Sequence, residues 1–381
     1  MDYDFNKVKD RKNTNSLKWD VKPGELPLWV ADMDFETAPC VKEAIEKRAA
    51  TGIFGYSIVP DEWAQGYSRW WKNRHNLEIS SECMIFCTGV VPAISSLVRK
   101  LTTPAEKVLV QTPCYNIFFN SIVNNGRFPV ESPLFYDGTQ YSINFEQLEK
   151  DLSDPQVSLM ILCNPQNPTG NIWSKNELAK IGELCKKYAV TVISDEIHCD
   201  ITAPGLAYTP FAAASETCKD ISVTCIAPTK CFNIAGINSA ATVVFNPSLR
   251  HKVWRALNTD EVAEPNAFAV DATIAAFTDG EEWLDQLNEY LFANRKYAAE
   301  RINALGKNFN VVDGKATYLL WVDVKQNGDK FAENLRAQTG LYINGGSEYG
   351  KSAENFIRIN LACPRKTLED AMNRLEKFVN G

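Results

Sequence analysis

Three segments in the middle of the chain carry residue types that could do chemistry together. Residues 163–170, Cys-Asn-Pro-Gln-Asn-Pro-Thr-Gly, follow an apolar run and predict a tight turn at the carboxyl end of a strand, where open α/β sheets bind ligands. Asn167 would aim an amide into that crevice. The next apolar run ends at Asp195, and Lys230 follows in an otherwise uncharged, partly apolar segment. A buried carboxylate requires a cationic or hydrogen-bonding partner, and a desolvated lysine can form a Schiff base with an aldehyde.

Each segment alone also has an ordinary structural interpretation. Asn-Pro turns occur in many loops without a ligand, a strand-end aspartate can cap a helix or lie at the surface, and most lysines are solvated. The order of the segments along the chain nevertheless favours one shared site, because a single cofactor would use an amide, a carboxylate and an amine in this arrangement.

Six continuous apolar runs predict the strands that position these residues. They are residues 83–88, 108–111, 158–163, 190–194, 221–226 and 240–245. Continuous runs are typical of strands whose two faces are both covered by helices, so we predict a parallel or mostly parallel sheet. Ser174 and Glu177 form a capping-box pattern, which predicts a helix between the third and fourth strands.

The C-terminal part of the chain predicts a second, smaller unit. Its pattern indicates a long helix over 283–305, strands over 318–324 and 356–361, and a last helix over 368–379. We predict a large α/β domain over residues 48–285. The small α+β domain would combine residues 1–47 with residues 286–381.

Composition narrows the classes of function. The chain of 381 residues has 40 Lys and Arg against 47 Asp and Glu, a net charge of −7, which argues against nucleic-acid binding. No apolar stretch could span a membrane and the first residues lack the regions of a secretory signal, so we expect a cytoplasmic protein. The 11 cysteines form no C-x-x-C pair and histidines number only three, so we expect buried thiols and no metal site.

The central motifs resemble those of fold-type I enzymes that use pyridoxal 5′-phosphate (PLP). The resemblance rests on residues 164–170, on Ser-Asp-Glu-x-His at 194–198 and on Thr-Lys at 229–230. More narrowly, the chain is similar to the bacterial cystathionine β-lyase (C-S lyase) branch, which includes the maltose-regulon modulator, at residues 10–20, 26–35 and 54–56. The resemblance implies a mostly parallel seven-stranded sheet sandwiched by helices, plus a smaller α+β domain.

The resemblance also implies cofactor contacts at matching positions. Lys230 would carry PLP as a Schiff base and act as catalytic base, Asp195 would pair with the pyridine nitrogen, and Asn167 would hydrogen-bond the ring hydroxyl. The other contacts would come from Gly89, Val90, Val91, Tyr115, His198, Thr229 and, from a neighbouring subunit, Tyr56. The predicted helix start at residue 89 suits a phosphate, because first-turn N–H groups are free. The protein would then be a homodimer with shared active sites.

Substrate contacts are implied in the same way. Arg358 lies in the apolar run 356–362, and its guanidinium would bind the α-carboxylate of an amino acid. The pattern alone favours a structural ion pair at this position, and the resemblance reverses that preference. Asp32 and Tyr56 are further predicted substrate contacts.

Three positions depart from the pattern of many aminotransferases. His198 stands where many relatives carry a tyrosine, Ala227 where many carry a serine, and Asn238 where many carry an arginine or lysine. The lyase branch tolerates these changes, so they mildly favour it and leave the partner of His198 and the full phosphate site undefined.

The resemblance implies a C–S β-lyase that acts on L-cystathionine or related cysteine S-conjugates. α,β-Elimination would release pyruvate, ammonia and a thiol, which is homocysteine when the substrate is cystathionine. An aminotransferase would use the same residues and is the first alternative. The second is a regulatory binding protein of the maltose-regulon modulator type, for which the sequence identifies no surface.

Overall fold

The computed structural model describes residues 3–381. The helices are α1 (Pro39–Ala50), α2 (Asp61–His75), α3 (Val90–Leu101), α4 (Ile117–Val123), α5 (Phe145–Leu152), α6 (Lys175–Lys187), α7 (Phe211–Ala214), α8 (Glu216–Ile221), α9 (Pro247–Thr259), α10 (Ala269–Asp279), α11 (Glu281–Asn303), α12 (Gly328–Thr339) and α13 (Arg365–Asn380). The strands are β1 (Leu26–Pro27), β2 (Met84–Cys87), β3 (Lys107–Thr112), β4 (Phe128–Pro133), β5 (Phe135–Tyr136), β6 (Tyr141–Ser142), β7 (Val157–Cys163), β8 (Thr191–Asp195), β9 (Ser222–Ile226), β10 (Ala240–Val243), β11 (Asn310–Val311), β12 (Leu319–Asp323), β13 (Leu341–Tyr342), β14 (Asn344–Gly345) and β15 (Phe356–Asn360).

The larger sheet has seven strands in the order β2-β10-β9-β8-β7-β3-β4. β10 runs antiparallel to both of its neighbours, whereas the other pairs are parallel. The predicted fold class, a mostly parallel seven-stranded sheet, is confirmed. All six predicted strands belong to this sheet. β4 is the one strand of the sheet that the apolar runs did not predict. This strand lies at the sheet edge, where prolines such as Pro129 and Pro133 are tolerated.

Helices cover both faces of this sheet. Alternate side chains of β7 enter different cores: Leu159 and Ile161 pack with residues of α3 and α9, whereas Met160 and Leu162 pack with residues of α5 and α6. Burial on both faces explains why the strands are continuously apolar. The sheet is a rigid platform that brings the carboxyl ends of β7 and β8 side by side.

The capping-box prediction is confirmed at the start of α6. The Ser174 hydroxyl accepts a hydrogen bond from the backbone N–H of Glu177, and the Glu177 carboxylate accepts one from the backbone N–H of Ser174. Two N–H groups that have no partner inside the helix are thereby satisfied. The cap fixes where the chain turns from the 163–170 segment into the helix.

The smaller sheet has four antiparallel strands in the order β11-β12-β15-β14. Helices α11, α12 and α13 pack with it in one apolar core. The N-terminal strand β1 pairs with β13 on this side of the molecule, whereas α1 packs against α10. The predicted domain boundary at 47/48 therefore falls inside a helix, and the boundaries stay a prediction.

The cysteines are all free thiols, and ten of the eleven are buried. Within residues 3–381, no helix is both long enough and apolar enough to cross a membrane.

Candidate active site

A cavity opens where the carboxyl ends of β7 and β8 meet the N-terminus of α3. Nine of the residues that line it are predicted site residues: Gly89, Val90, Val91, Tyr115, Asn167, Asp195, His198, Thr229 and Lys230. Ala31, Thr88, Pro92, Cys163, Ile197, Ala235 and Asn238 also line it. The predicted residues Asp32, Tyr56 and Arg358 are not among the lining residues.

Lys230 presents its amine at the wall of this cavity. Its Nζ donates a hydrogen bond of 2.6 Å to the carbonyl oxygen of Ala31. Burial and the nearby Arg358 guanidinium lower the pKa of Lys230 to about 8, and Asp32 and Asp195 oppose that shift. A pKa of about 8 leaves a minor fraction of the amine neutral at pH 7, which is more than an exposed lysine would have.

Asp195 ends β8 with its carboxylate at the cavity. Its Oδ1 accepts one hydrogen bond, of 3.1 Å, from the backbone N–H of Ile197. Burial is the main cause that raises the pKa of Asp195 to about 7; Glu196 adds to the shift, whereas the Ile197 N–H and Lys230 oppose it. Such a carboxylate has a strong preference for a cationic or protonated partner.

Glu196 has a different role from Asp195, although the two acids are adjacent in the sequence. Its buried carboxylate accepts hydrogen bonds from Ser194 Oγ at 2.7 Å, Tyr208 Oη at 2.6 Å and the Phe211 backbone N–H at 2.8 Å. These donors satisfy it inside the protein. Of the two adjacent acids, only Asp195 is available to a ligand.

His198 is a buried neutral imidazole at the cavity. Burial first, and then the positive charges of Lys230 and Arg358, lower its pKa to about 3. Its Nδ1 is buried and has no hydrogen-bond partner within residues 3–381. An unpaired buried polar atom at a cavity is costly unless a ligand or water satisfies it.

The 163–170 segment holds Asn167 at the cavity beside Arg358. Gly170 permits this turn, because it has a φ of +76° and a Cβ there would lie 2.9 Å from the Ala316 carbonyl oxygen. The Oδ1 of Asn167 accepts a hydrogen bond of 3.3 Å from Nη1 of Arg358. The turn therefore places an amide between the cavity and the small sheet.

Arg358 is buried on β15, just behind the cavity wall. Its Nη2 donates to the Trp29 carbonyl oxygen at 3.1 Å and to Asn344 Oδ1 at 3.4 Å, and its Nε has no partner among residues 3–381. No carboxylate of the described chain forms an ion pair with it. The structural ion pair that the pattern alone favoured is therefore wrong, and the guanidinium remains available to an anionic ligand.

The start of α3 offers free backbone donors to the cavity. Gly89 precedes the helix, and Val90 and Val91 form its first positions. Their N–H groups have no acceptor within the helix, and the positive end of the helix dipole favours an anion there. Thr229 adds a hydroxyl-bearing side chain to the lining of the cavity.

Residues 29–35, which we call the strap, close the cavity beside Lys230. Side chains from distant parts of the chain bind its backbone carbonyls: Arg358, Asn360, Tyr318 and Asn233 donate at 2.6–3.1 Å. This segment belongs to the residues that carry the resemblance to the lyase branch, but no sequence pattern shows how it is held. Most of its carbonyl oxygens are bound by side chains, so its position depends on them.

An ion cluster anchors the strap from behind. Lys18, fully buried, lies 2.9 Å from Asp34, and Arg11 lies 2.8 Å from Asp34 and 3.0 Å from Asp32. The Asp32 carboxylate is thus already paired and is not among the cavity-lining residues. Contact of Asp32 with a substrate stays a prediction.

Tyr56 is fully exposed and does not line the cavity of its own chain. It lies in an irregular segment, residues 51–60, which also exposes Ile53, Phe54 and Ile58. The predicted contact of Tyr56 with a neighbouring active site is compatible with this exposure, and it stays a prediction.

One further cluster contains metal-ligand residue types: His75, Cys199 and Asp200. The Asp200 carboxylate accepts hydrogen bonds from Trp70 Nε1 at 3.1 Å and lies 3.5 Å from Nε of Arg74. Burial raises the pKa of Asp200, but His75 and Arg74 outweigh it and lower the pKa. The cluster is a buried ion-pair network in which the Arg74 guanidinium supplies the positive charge that a metal ion would supply in a metal site.

Comparisons with known proteins agree with this arrangement. "Cystathionine beta-lyase PatB" of Bacillus subtilis is 39% identical over 98% of both chains. A PLP-bound putative aminotransferase from Clostridium difficile has 38% identity and a TM-score of 0.95 over 100% of both chains. The PLP-bound C-S lyase from Staphylococcus hominis has 33% identity and a TM-score of 0.94, covering 100% of this chain and 99% of that chain. Residues 24–375 match the sequence model of one family, and the chain belongs to that family, aminotransferase class I and II.

Proposed function

We propose that this protein is a PLP-dependent C–S β-lyase for L-cystathionine or related cysteine S-conjugates. With L-cystathionine, the reaction consumes one water and yields homocysteine, pyruvate and ammonia. The observation that carries the proposal is the Lys230 amine, which has a lowered pKa and shares a cavity with Asp195 and Asn167. The similarity to a cystathionine β-lyase and to a C-S lyase supports it.

The residues present fit PLP. The unpartnered Nδ1 of His198 and the carboxylate of Asp195, which has a single backbone donor, are polar groups that a ligand would satisfy. Lys230 would hold the aldehyde carbon, Asp195 the ring nitrogen and Asn167 the ring hydroxyl. The phosphate would bind at the start of α3 with Thr229, and Tyr115 would lie against the ring.

PLP, when bound, supplies an electron-withdrawing ring that acidifies the α-proton of an attached amino acid. Lys230 would accept that proton at Nζ, because its lowered pKa leaves part of the amine neutral. The Ala31 carbonyl oxygen, 2.6 Å from Nζ, would hold the resulting ammonium. Arg358 would orient the substrate by its α-carboxylate, which fixes the α-proton relative to Lys230.

We further propose a homodimer in which Tyr56 reaches the active site of the neighbouring subunit, as both a cofactor and a substrate contact. The support is the exposed apolar segment 51–60, since contiguous exposed apolar side chains on a soluble protein commonly mark an interface.

A pyruvate assay tests the proposal. Purified protein loaded with PLP and incubated with L-cystathionine, without any keto acid, should release pyruvate and a thiol. Lys230→Ala should abolish this release, because no other amine lines the cavity among residues 3–381. Lys330→Ala, at an exposed position on α12, is the control and should keep full activity.

An aminotransferase is the second candidate, favoured by the putative aminotransferase at 38% identity. No pyruvate from L-cystathionine, together with amino transfer once a keto acid is added, would contradict the lyase and support this candidate. Borohydride reduction followed by mass spectrometry should find the cofactor on Lys230 in either case, so this measurement tests the cofactor site separately.

A further inference from the structure

One exposed acidic side chain near the cavity has no cationic partner among residues 3–381. Glu348 lies in the short 3₁₀ helix Ser347–Tyr349 and is exposed. Its Oε2 accepts a hydrogen bond of 2.9 Å from Nδ2 of Asn116, and its Oε1 accepts one of 2.8 Å from Nδ2 of Asn344. No Lys, Arg or His of the described residues lies within ion-pair distance of it.

The two asparagines connect Glu348 to the site on two sides. Asn116 directly follows Tyr115, which lines the cavity. Asn344 accepts a hydrogen bond of 3.4 Å from Nη2 of Arg358 through its Oδ1 while it donates to Glu348 through its Nδ2. One asparagine side chain therefore separates the guanidinium that would bind the α-carboxylate from a fixed negative charge.

The charge of Glu348 would act differently on substrates whose leaving groups differ in charge. A cysteine S-conjugate held by Arg358 extends its leaving group away from the α-carbon, and a cationic end that reached Glu348 would form an ion pair with a carboxylate already oriented by two amides. A neutral end would gain nothing from it, and an anionic end would be repelled.

We propose that Glu348 is a specificity-determining residue that favours cysteine S-conjugates whose leaving group carries a cationic amine. The proposal rests on the lyase activity proposed above and deepens it, because it names the class of leaving group. The homocysteine part of L-cystathionine carries an ammonium group and a carboxylate, so Glu348 would attract only one of its two charges, and a leaving group with an amine alone should gain more.

Two substrates of equal size test this inference. S-(2-Aminoethyl)-L-cysteine and S-propyl-L-cysteine differ only in a terminal ammonium in place of a methyl group. The ratio of their kcat/KM values for pyruvate release should be about fivefold in favour of the amine, the order expected for one solvent-exposed ion pair. Glu348→Gln should lower that ratio about fivefold, through KM for the amine, because the interaction is made before and during reaction alike.

Glu354→Gln is the matched control. Glu354 is also exposed and also accepts a hydrogen bond from an asparagine, Asn327 Nδ2 at 2.9 Å, but it does not contact Asn116, Asn344 or the cavity. This variant should keep the wild-type ratio. A circular dichroism spectrum and a thermal denaturation midpoint of Glu348→Gln that match those of the wild type would show that the variant is folded.

The outcomes separate this inference from the proposed function. Pyruvate from S-propyl-L-cysteine decides whether the protein is a lyase, whatever Glu348 does. An active wild type without preference for the amine, or an equal preference in wild type and Glu348→Gln, would overturn the role of Glu348 and leave the lyase proposal standing. A preference that weakens with added salt supports it, since exposed charges are screened.

Discussion

Two buried ionisable side chains three positions apart, Asp195 and His198, respond to burial in opposite directions. The pKa of Asp195 is raised from 3.8 to about 7, and that of His198 is lowered from 6.5 to about 3. Between about pH 4 and 6.5, folding therefore takes up a proton at Asp195 and releases one at His198. The Asp195 contribution makes the free energy of unfolding fall as pH rises, and the His198 contribution makes it rise. In the wild type the two contributions cancel.

Substituting one of these two residues should reveal how the other makes the free energy of unfolding depend on pH. In the cofactor-free protein, His198→Phe leaves the Asp195 contribution, so the free energy of unfolding should fall by about 1.4 kcal/mol per pH unit between pH 4.5 and 6 relative to wild type. Asp195→Asn should make it rise by about the same amount. Urea denaturation at several pH values measures both.

The control for these slopes is the exposed His251. His251→Phe should leave the pH dependence of the wild type unchanged. Parallel curves for His198→Phe, Asp195→Asn and wild type would contradict the opposite protonation of Asp195 and His198 in the folded protein.

At the scale of elements, the strap depends on the ion cluster behind it. Lys18→Met leaves the buried Asp34 with Arg11 and the Trp19 indole as its partners. We expect a loss of about 3 kcal/mol in the free energy of unfolding, the low end for breaking a buried ion pair, because Arg11 remains. Thermal or urea denaturation measures it.

Lys9→Met is the matched control for the ion cluster. Lys9 pairs with Glu36 at 2.8 Å, but both side chains are exposed, so its removal should change stability little. Equal losses of unfolding free energy in Lys9→Met and Lys18→Met would contradict the prediction that burial makes the ion pairs of Lys18 important for stability.

The sequence predicted those helices and strands whose own pattern of apolar residues reflects which of their faces are buried. The strands of the large sheet are apolar on both faces, so their runs were visible, whereas the edge strand β4 carries two prolines and was not. The strap could not be predicted, since it has no periodicity and its partners, such as Asn233, Tyr318 and Asn360, lie about 200 or more positions away. The different roles of Asp195 and Glu196 were hidden for another reason: Tyr208 and Phe211, which donate to Glu196, lie only 12 and 15 positions away, but they follow an irregular segment whose path has no periodic pattern.

At the scale of the whole molecule, shared active sites can be tested by mixing two inactive variants. Tyr56→Ala and Lys230→Ala should each lose most activity. If Tyr56 acts in the neighbouring subunit, a mixed dimer contains one intact site, so random reassociation of equal amounts should restore about a quarter of wild-type activity. Pyruvate release after joint refolding measures this recovery.

Separate refolding of each variant, followed by mixing without exchange, should give no recovery and is the control. Failure to recover activity in mixed dimers verified by mass would mean that each subunit completes its own site and would contradict the proposed position of Tyr56.

The strap joins the two ends of the chain, and this has a consequence for synthesis. Trp29 is bound by Arg358, which is 329 positions later. At about 5–20 residues per second, a ribosome needs roughly 20–60 seconds to pass from one to the other. The nascent protein therefore contains Lys230 well before the strap beside it can be held in place. A chain truncated before residue 358 would contain Lys230 without a complete cavity around it.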